Sequence, residues 1–155
     1  MEENPLVGVL VGSRTDEPLI QDTLKVLTDL GIPHEFNAMS AHRSPQRVMD
    51  YVSAAEGRGI EVLIAGAGGS AALPGVVASW TTLPVIGIPL PTSDLAGVDA
   101  LHTIVQMPPG VPVACVAIGA WGARNAAYLA ASILGIKHAN IKQAYGGYRE
   151  GLRKA

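Results

Sequence analysis

Three short stretches of this chain gather residues that could do chemistry. GSRTD (12–16) places Ser13, Thr15 and Asp16 directly after an apolar run, SAHRSP (40–45) sets His42 beside Arg43, and AGAGGSAALPG (65–75) holds four glycines with Ser70 as its one polar side chain. A histidine next to an arginine joins a proton carrier that titrates near neutrality to a planar clamp for an anion. Ser13 with nearby backbone amides can hold an anion as well, while Asp16 can accept from a sugar hydroxyl. In the third stretch, Gly66, Gly68 and Gly69 let a ligand lie on main-chain N–H groups. Leu73-Pro74 then starts a helix whose N-terminus attracts negative charge. The glycine spacing fits neither a Walker loop nor the dinucleotide G-x-G-x-x-G pattern. Each stretch also has a plain structural reading: helix capping by Thr15 or Asp16, a solvated His–Arg pair, and close helix–sheet contact at the glycines.

The elements that must position these residues follow from periodicity. LVGVLV (6–11) is a continuous apolar run, as expected of a strand covered on both faces. HEFNAM (34–39), IEVLIA (60–65), LPVIGIP (83–89) and VPVACVAIG (111–119) read as four more strands. Between them, Leu19, Ile20, Thr23, Leu24, Leu27 and Leu30 recur at helical spacing until Gly31. Ser44 as N-cap and Pro45 at the first helical position open a second helix with Val48, Val52 and Ala55 inside, running to about Arg58. LPGVVASWT, LAGVDALHTIV and NAAYLAASIL (125–134) are further helices, and the tail from Lys137 reads as a helix interrupted at Gly146-Gly147. Strand–helix alternation predicts one α/β domain over 1–155 with a parallel sheet between helix layers. Ligands of open α/β sheets bind at the carboxyl ends of the strands, which is where all three stretches fall.

Composition limits the partners. Net charge is −2 with no basic run, which argues against nucleic acid. Only 15% of residues are charged and 48% are hydrophobic, so much of the surface is expected to be covered by copies of the same chain. Ile141, Tyr145, Tyr148 and Leu152 mark the C-terminal helix as packing on a neighbouring subunit. Acidic Glu2 and Glu3 stand where a signal peptide needs basic residues, and Arg124 and Asn125 interrupt the longest apolar region, so no membrane span is expected. One cysteine, Cys115, excludes an internal disulfide and reads as a buried thiol in a cytoplasmic protein. His34, His102 and His138 lack comparable neighbours and read as structural or exposed.

Taken in order, GSRTD, MSAHRSP, IAGAGGSAALPG, LPVIGIPL, IVQMPPGVPVA, AIGAWGARNAA and LAASILGI resemble the motifs of the 5-(carboxyamino)imidazole ribonucleotide mutase family of purine biosynthesis. The likeness runs from Leu6 to about Ile136. It implies a flavodoxin-like three-layer αβα sandwich, assembled as a homo-octamer with active sites at subunit contacts. It implies an imidazole ribonucleotide substrate, no cofactor and no metal. Ser13 and Arg43 would hold the phosphate, Asp16 the ribose hydroxyls, and His42 would move the proton. Substrate contact is implied for Gly12, Thr15 and Ser40 as well, and for Ala67, Gly68, Gly69, Ser70, Ala71 and Leu73 along the imidazole. Ile104 to Pro108 would wall the site of a neighbouring subunit.

In that family a carboxylate moves from the exocyclic nitrogen to ring carbon four. One imidazole can protonate the nitrogen and deprotonate the ring, while a small dry pocket retains the carbon dioxide. Two positions depart from the pattern: Thr15 replaces a usual serine, and Ala72 stands where mutases have histidine. Relatives that carboxylate aminoimidazole ribonucleotide directly also have a small residue there, and PLPTSDLAG (89–97) leans the same way. Those relatives, however, have lysine at the place of Arg43, AGRSN for AGAGG and SLRMP for IVQMP. The motifs therefore favour a mutase over a direct carboxylase, and His42, Arg43 and Asp16 together disfavour a non-catalytic relative.

Overall fold

In the computed structural model, which describes residues 4–154, five parallel strands form one sheet in the order β2-β1-β3-β4-β5. The strands are β1 (Val7–Val11), β2 (His34–Ala38), β3 (Val62–Gly68), β4 (Val85–Leu90) and β5 (Ala114–Cys115). The helices are α1 (Gln21–Asp29), α2 (Pro45–Ala55), α3 (Ala72–Ser79), α4 (Val98–Val105), α5 (Gly119–Leu134) and α6 (Ala139–Lys154). Glu2 and Glu3 lie outside the described residues.

Alternation along β1 builds the three layers. Val7, Val9 and Val11 face a core shared with Leu27 of α1, Ala127 and Ala131 of α5 and Ile141 of α6. Leu10 points the other way, with Leu63 and Ala65, into a second core closed by Val52 of α2, Val77 of α3 and Ile104 of α4. This strand order is the flavodoxin-like one, and its chain reversal falls between β1 and β3. Val11 is in register with Ala38 on one side and Gly66 on the other, so three strands end side by side.

Several boundaries differ from the sequence expectation. The first helical segment opens as a 3-10 turn, Arg14–Ile20, containing Pro18, before α1 begins. The second ends as α-helix at Ala55 and finishes as a 3-10 turn over Glu56–Arg58. The fifth strand shrinks from nine residues to two: Ala114 and Cys115 pair with Ile86 and Gly87, and Val116 N–H adds a bond to Gly87 O at 3.0 Å. Residue 89 would supply the next donor on that side of β4, and Pro89 has none. Cys115 on this edge is half-buried, and its partial burial pushes the thiol pKa up.

Helix α5 starts six residues before the expected position because Gly122 lies against the Ala117 carbonyl, where no Cβ fits. Its buried face, Gly122, Ala123, Ala126, Ala127, Ala130, Ala131 and Leu134, has helical spacing and lies close to the sheet. Helix α6 is continuous through Gly146-Gly147. Tyr145 and Tyr148 stack on Tyr128 of α5 with centroids 5.7 and 4.5 Å apart, and Ile141 is buried. That packing outweighs a helix-propensity cost of about 1 kcal/mol per glycine. Three of the four apolar tail residues thus pack within their own chain, leaving Leu152 mostly exposed.

Candidate active site

The ends of β1, β2 and β3 open onto a cavity of about 300 Å³. Gly12, Ser13 and Asp16 enter from the loop after β1, and Ser40, Ala41, His42 and Arg43 from the loop after β2. Ala67, Gly68, Ser70, Ala71, Ala72 and Leu73 come from the end of β3 and the start of α3. Of the residues expected at the site from the three loops, Thr15, Gly66 and Gly69 do not line the cavity. The Thr15 hydroxyl donates to Ser13 Oγ at 2.9 Å, and Gly69 is a turn residue with φ +58°.

Each wall is held by local bonds. Ser13, rather than Thr15 or Asp16, caps the 3-10 turn, its Oγ accepting from Thr15 N at 3.3 Å. Ser40 Oγ accepts from both the backbone N (3.1 Å) and the Nε (3.3 Å) of Arg43. Arg43 Nη2 then donates to the Gly12 carbonyl at 3.4 Å, tying the second loop to the first. Ser44 occupies the N-cap position of α2 without capping it: its hydroxyl donates to Ser40 O and accepts from Ser40 N. The serine expected to cap a helix instead closes the His42–Arg43 turn on itself.

Burial pushes the Asp16 carboxyl above its ordinary value of 3.8, against the opposing pull of the Ser13 hydrogen bond and the Arg43 charge. The third wall is different. Gly66, Ala67 and Gly68 belong to β3 rather than to a loop. A Cβ on Gly66 would come within 3.2 Å of Ile20 and 3.3 Å of Leu90, so this glycine serves packing. The turn that follows is closed by Ala71 N–H donating to Gly68 O at 3.0 Å, with Ala71 itself left-handed at φ 41°. It delivers the uncapped N-terminus of α3 to the cavity.

Thr92, just past β4, also lines the cavity and was not among the expected residues. PLPTSDLAG follows a strand end like the other three loops, and that placement was the available signal. Ile104 to Pro108 do not line this cavity: Ile104 is buried under the sheet, and Met107 lies against Gly75 of α3. The other histidines are elsewhere. His34 Nδ1 is 2.8 Å from Ile32 O, His138 Nε2 is 2.9 Å from Glu61, and His102 is exposed on α4.

A wider depression of about 590 Å³ lies at the opposite end of the sheet, around Pro5, Thr28 and residues 31–35. Its acid, Glu35, is already committed to Tyr51 (2.7 Å) and Arg58 (2.8 Å). At the smaller cavity, by contrast, His42 makes no side-chain hydrogen bond to a described residue, and Arg43 is bonded only to Ser40 Oγ and the Gly12 carbonyl, not to a carboxylate. Among the described residues no cluster of His, Cys, Asp and Glu has metal-binding geometry, and no helix is long and apolar enough to cross a membrane.

The chain belongs to the AIR carboxylase family, whose sequence profile matches residues 6–155. It is 50% identical over 152 residues to the N5-carboxyaminoimidazole ribonucleotide mutase of Pyrococcus horikoshii, covering 98% of this chain and 85% of that one. It is 54% identical over 144 residues to the mutase of the same name from Pseudomonas aeruginosa, covering 93% and 88%. The crystal structure of Treponema denticola PurE superposes with a TM-score of 0.85 at 29% identity, covering 97% of this chain and 92% of that one.

Proposed function

We propose that this protein is an isomerase of purine biosynthesis that converts N5-carboxyaminoimidazole ribonucleotide to carboxyaminoimidazole ribonucleotide. The observation that carries the reading is the asymmetry of the cavity. One side presents Ser13, Asp16, His42 and Arg43, and the other presents small side chains and backbone at Ala67, Gly68, Ala71 and Ala72. Relatives about half identical over nearly the whole chain bear the mutase name, which favours this chemistry over direct carboxylation.

The ribonucleotide phosphate binds Ser13 and Arg43, and Asp16 accepts from the ribose. Gly12, Thr15 and Ser40 shape and hold these two loops. The imidazole lies over Ala67 and Gly68, bounded by Ser70, Ala71 and Leu73, with Gly69 turning the chain between Gly68 and Ser70. Cleavage of the exocyclic N–C bond leaves its electron pair on nitrogen, which takes a proton from His42, and frees carbon dioxide. Ring carbon four attacks that carbon dioxide, and His42 recovers the ring proton. Nothing is gained or lost overall, so no cofactor is required. Ala72 leaves His42 as the one imidazole in the cavity.

Self-association, to a homo-octamer in this reading, covers exposed apolar side chains such as Trp121 (75% exposed) and Ile136 (89%). Ile104 to Pro108 would then face a neighbour's site. The cytoplasm is the proposed compartment. The test offers the purified enzyme the two ribonucleotides separately. Fast conversion of the carboxyamino compound, with little response to aminoimidazole ribonucleotide plus bicarbonate, supports the mutase. The reverse pattern makes it a direct carboxylase.

A further inference from the structure

Thr92 and Gly68 fit each other. The Thr92 side chain fills the space that a Cβ on Gly68 would occupy, and Leu90 O lies 3.0 Å from the same point. Thr92 N–H donates to Leu90 O at 3.0 Å, and its branched Cβ restricts χ1, so the side chain is held over the end of β3. No described residue bonds its hydroxyl. On the facing loops, Ser13 Oγ accepts from Thr15 and Ser40 Oγ from Arg43, which fixes both hydroxyls on the β1 and β2 side.

Sheet order gives this free hydroxyl a position relative to the anion clamp. The loops follow one another as β2, β1, β3, β4, so Thr92 stands three strand spacings, about 14 Å, from the strand that carries His42 and Arg43. With the proposed ribonucleotide's phosphate at Ser13 and Arg43, its base lies over the end of β3 and its carboxylate points toward the β4 side. That side is otherwise lined by Ala67, Ala71, Ala72 and Leu73, whose side chains donate no hydrogen bond, and by Ser70, an exposed hydroxyl on the turn after β3. We infer that Thr92 donates its hydroxyl hydrogen to the carboxylate of the bound imidazole ribonucleotide, making it the residue that distinguishes carboxylated from uncarboxylated ligand. The inference rests on the ribonucleotide reading of the site.

Calorimetry on Thr92→Val, which keeps the branched shape without the hydroxyl, tests it. Affinity for carboxyaminoimidazole ribonucleotide should fall about 10- to 100-fold, the range for a hydrogen bond to a charged group, and affinity for aminoimidazole ribonucleotide should change less than about twofold. Thr92→Ser should restore the preference. If Thr92→Val does not fold, Thr92→Ala gives the same comparison. Equal loss for both ligands, or no loss for either, would overturn the assignment. Failure of the unaltered protein to bind either ribonucleotide would instead overturn the function proposed above.

Discussion

The Arg43 guanidinium donates to the Gly12 carbonyl at 3.4 Å, bridging the ends of β2 and β1 beside the chain reversal between β1 and β3. The bond is long and weak, so the guanidinium can turn to a phosphate without a large loss. Arg43→Ala should therefore keep the fold and weaken ribonucleotide binding by about 1.5–3 kcal/mol. Calorimetry measures the affinity. An unchanged value would place Arg43 outside the ligand site.

His42→Asn keeps a polar side chain of similar reach but cannot carry a proton at neutral pH. Ribonucleotide affinity should stay near that of the unaltered protein while turnover falls by about 10²- to 10⁴-fold. Single-turnover rates with a separate binding titration divide the two effects. A near-normal rate would remove His42 from the chemistry.

Asp16 is expected to trade stability for binding. Its raised pKa means the folded protein holds the proton more tightly than the unfolded chain does. Its contribution to stability is therefore fully present below the ordinary value of 3.8 and is lost as pH rises through the folded pKa. Asp16→Asn should melt higher than the unaltered protein at pH 7, and the advantage should disappear as pH falls below about 4. The same variant should bind the ribonucleotide less well. Thermal melts at the two pH values check the sign.

Gly68→Ala tests the floor of the cavity. The added Cβ would run into the Thr92 side chain and approach the Leu90 carbonyl, so one of the two loops must shift. A loss of about 1–3 kcal/mol is expected from urea unfolding, with a larger proportional loss of turnover. Equal stability would mean the β4 loop moves freely.

What was legible in the sequence follows from how local each signal is. The apolar runs of β1, β3 and β4 are buried on both faces, so their composition alone marks them. SAHRSP and GSRTD could be placed because a strand end is a local feature. Continuity of α6 could not be read, because Gly146-Gly147 is outweighed by a tyrosine stack that includes Tyr128 of another helix. The shortness of β5 depends on a donor missing from Pro89, about 25 residues earlier in the chain. Ser44 carries a capping sequence, yet its hydroxyl turns back to Ser40. Thr92 was missed because its role appears only when β4 lies beside β3, bringing it over Gly68.

Oligomerisation is open to direct measurement. Trp80, Trp121, Val105 and Ile136 are exposed on the isolated chain, and light scattering at micromolar concentration should report a high-order assembly. A monomer would contradict a site completed by a neighbour's Ile104 to Pro108.

The most direct test of the account follows the migrating carbon itself. Carboxyamino ribonucleotide carrying an isotopically labelled carboxylate is converted by the enzyme in an excess of unlabelled bicarbonate, and the label in the product is counted by mass spectrometry. A cavity floored by Gly68 and Ala72 that holds carbon dioxide until ring carbon four captures it predicts a product retaining nearly all of the label. A product carrying mostly unlabelled carboxylate would show that carbon dioxide enters from solvent, which contradicts the mutase.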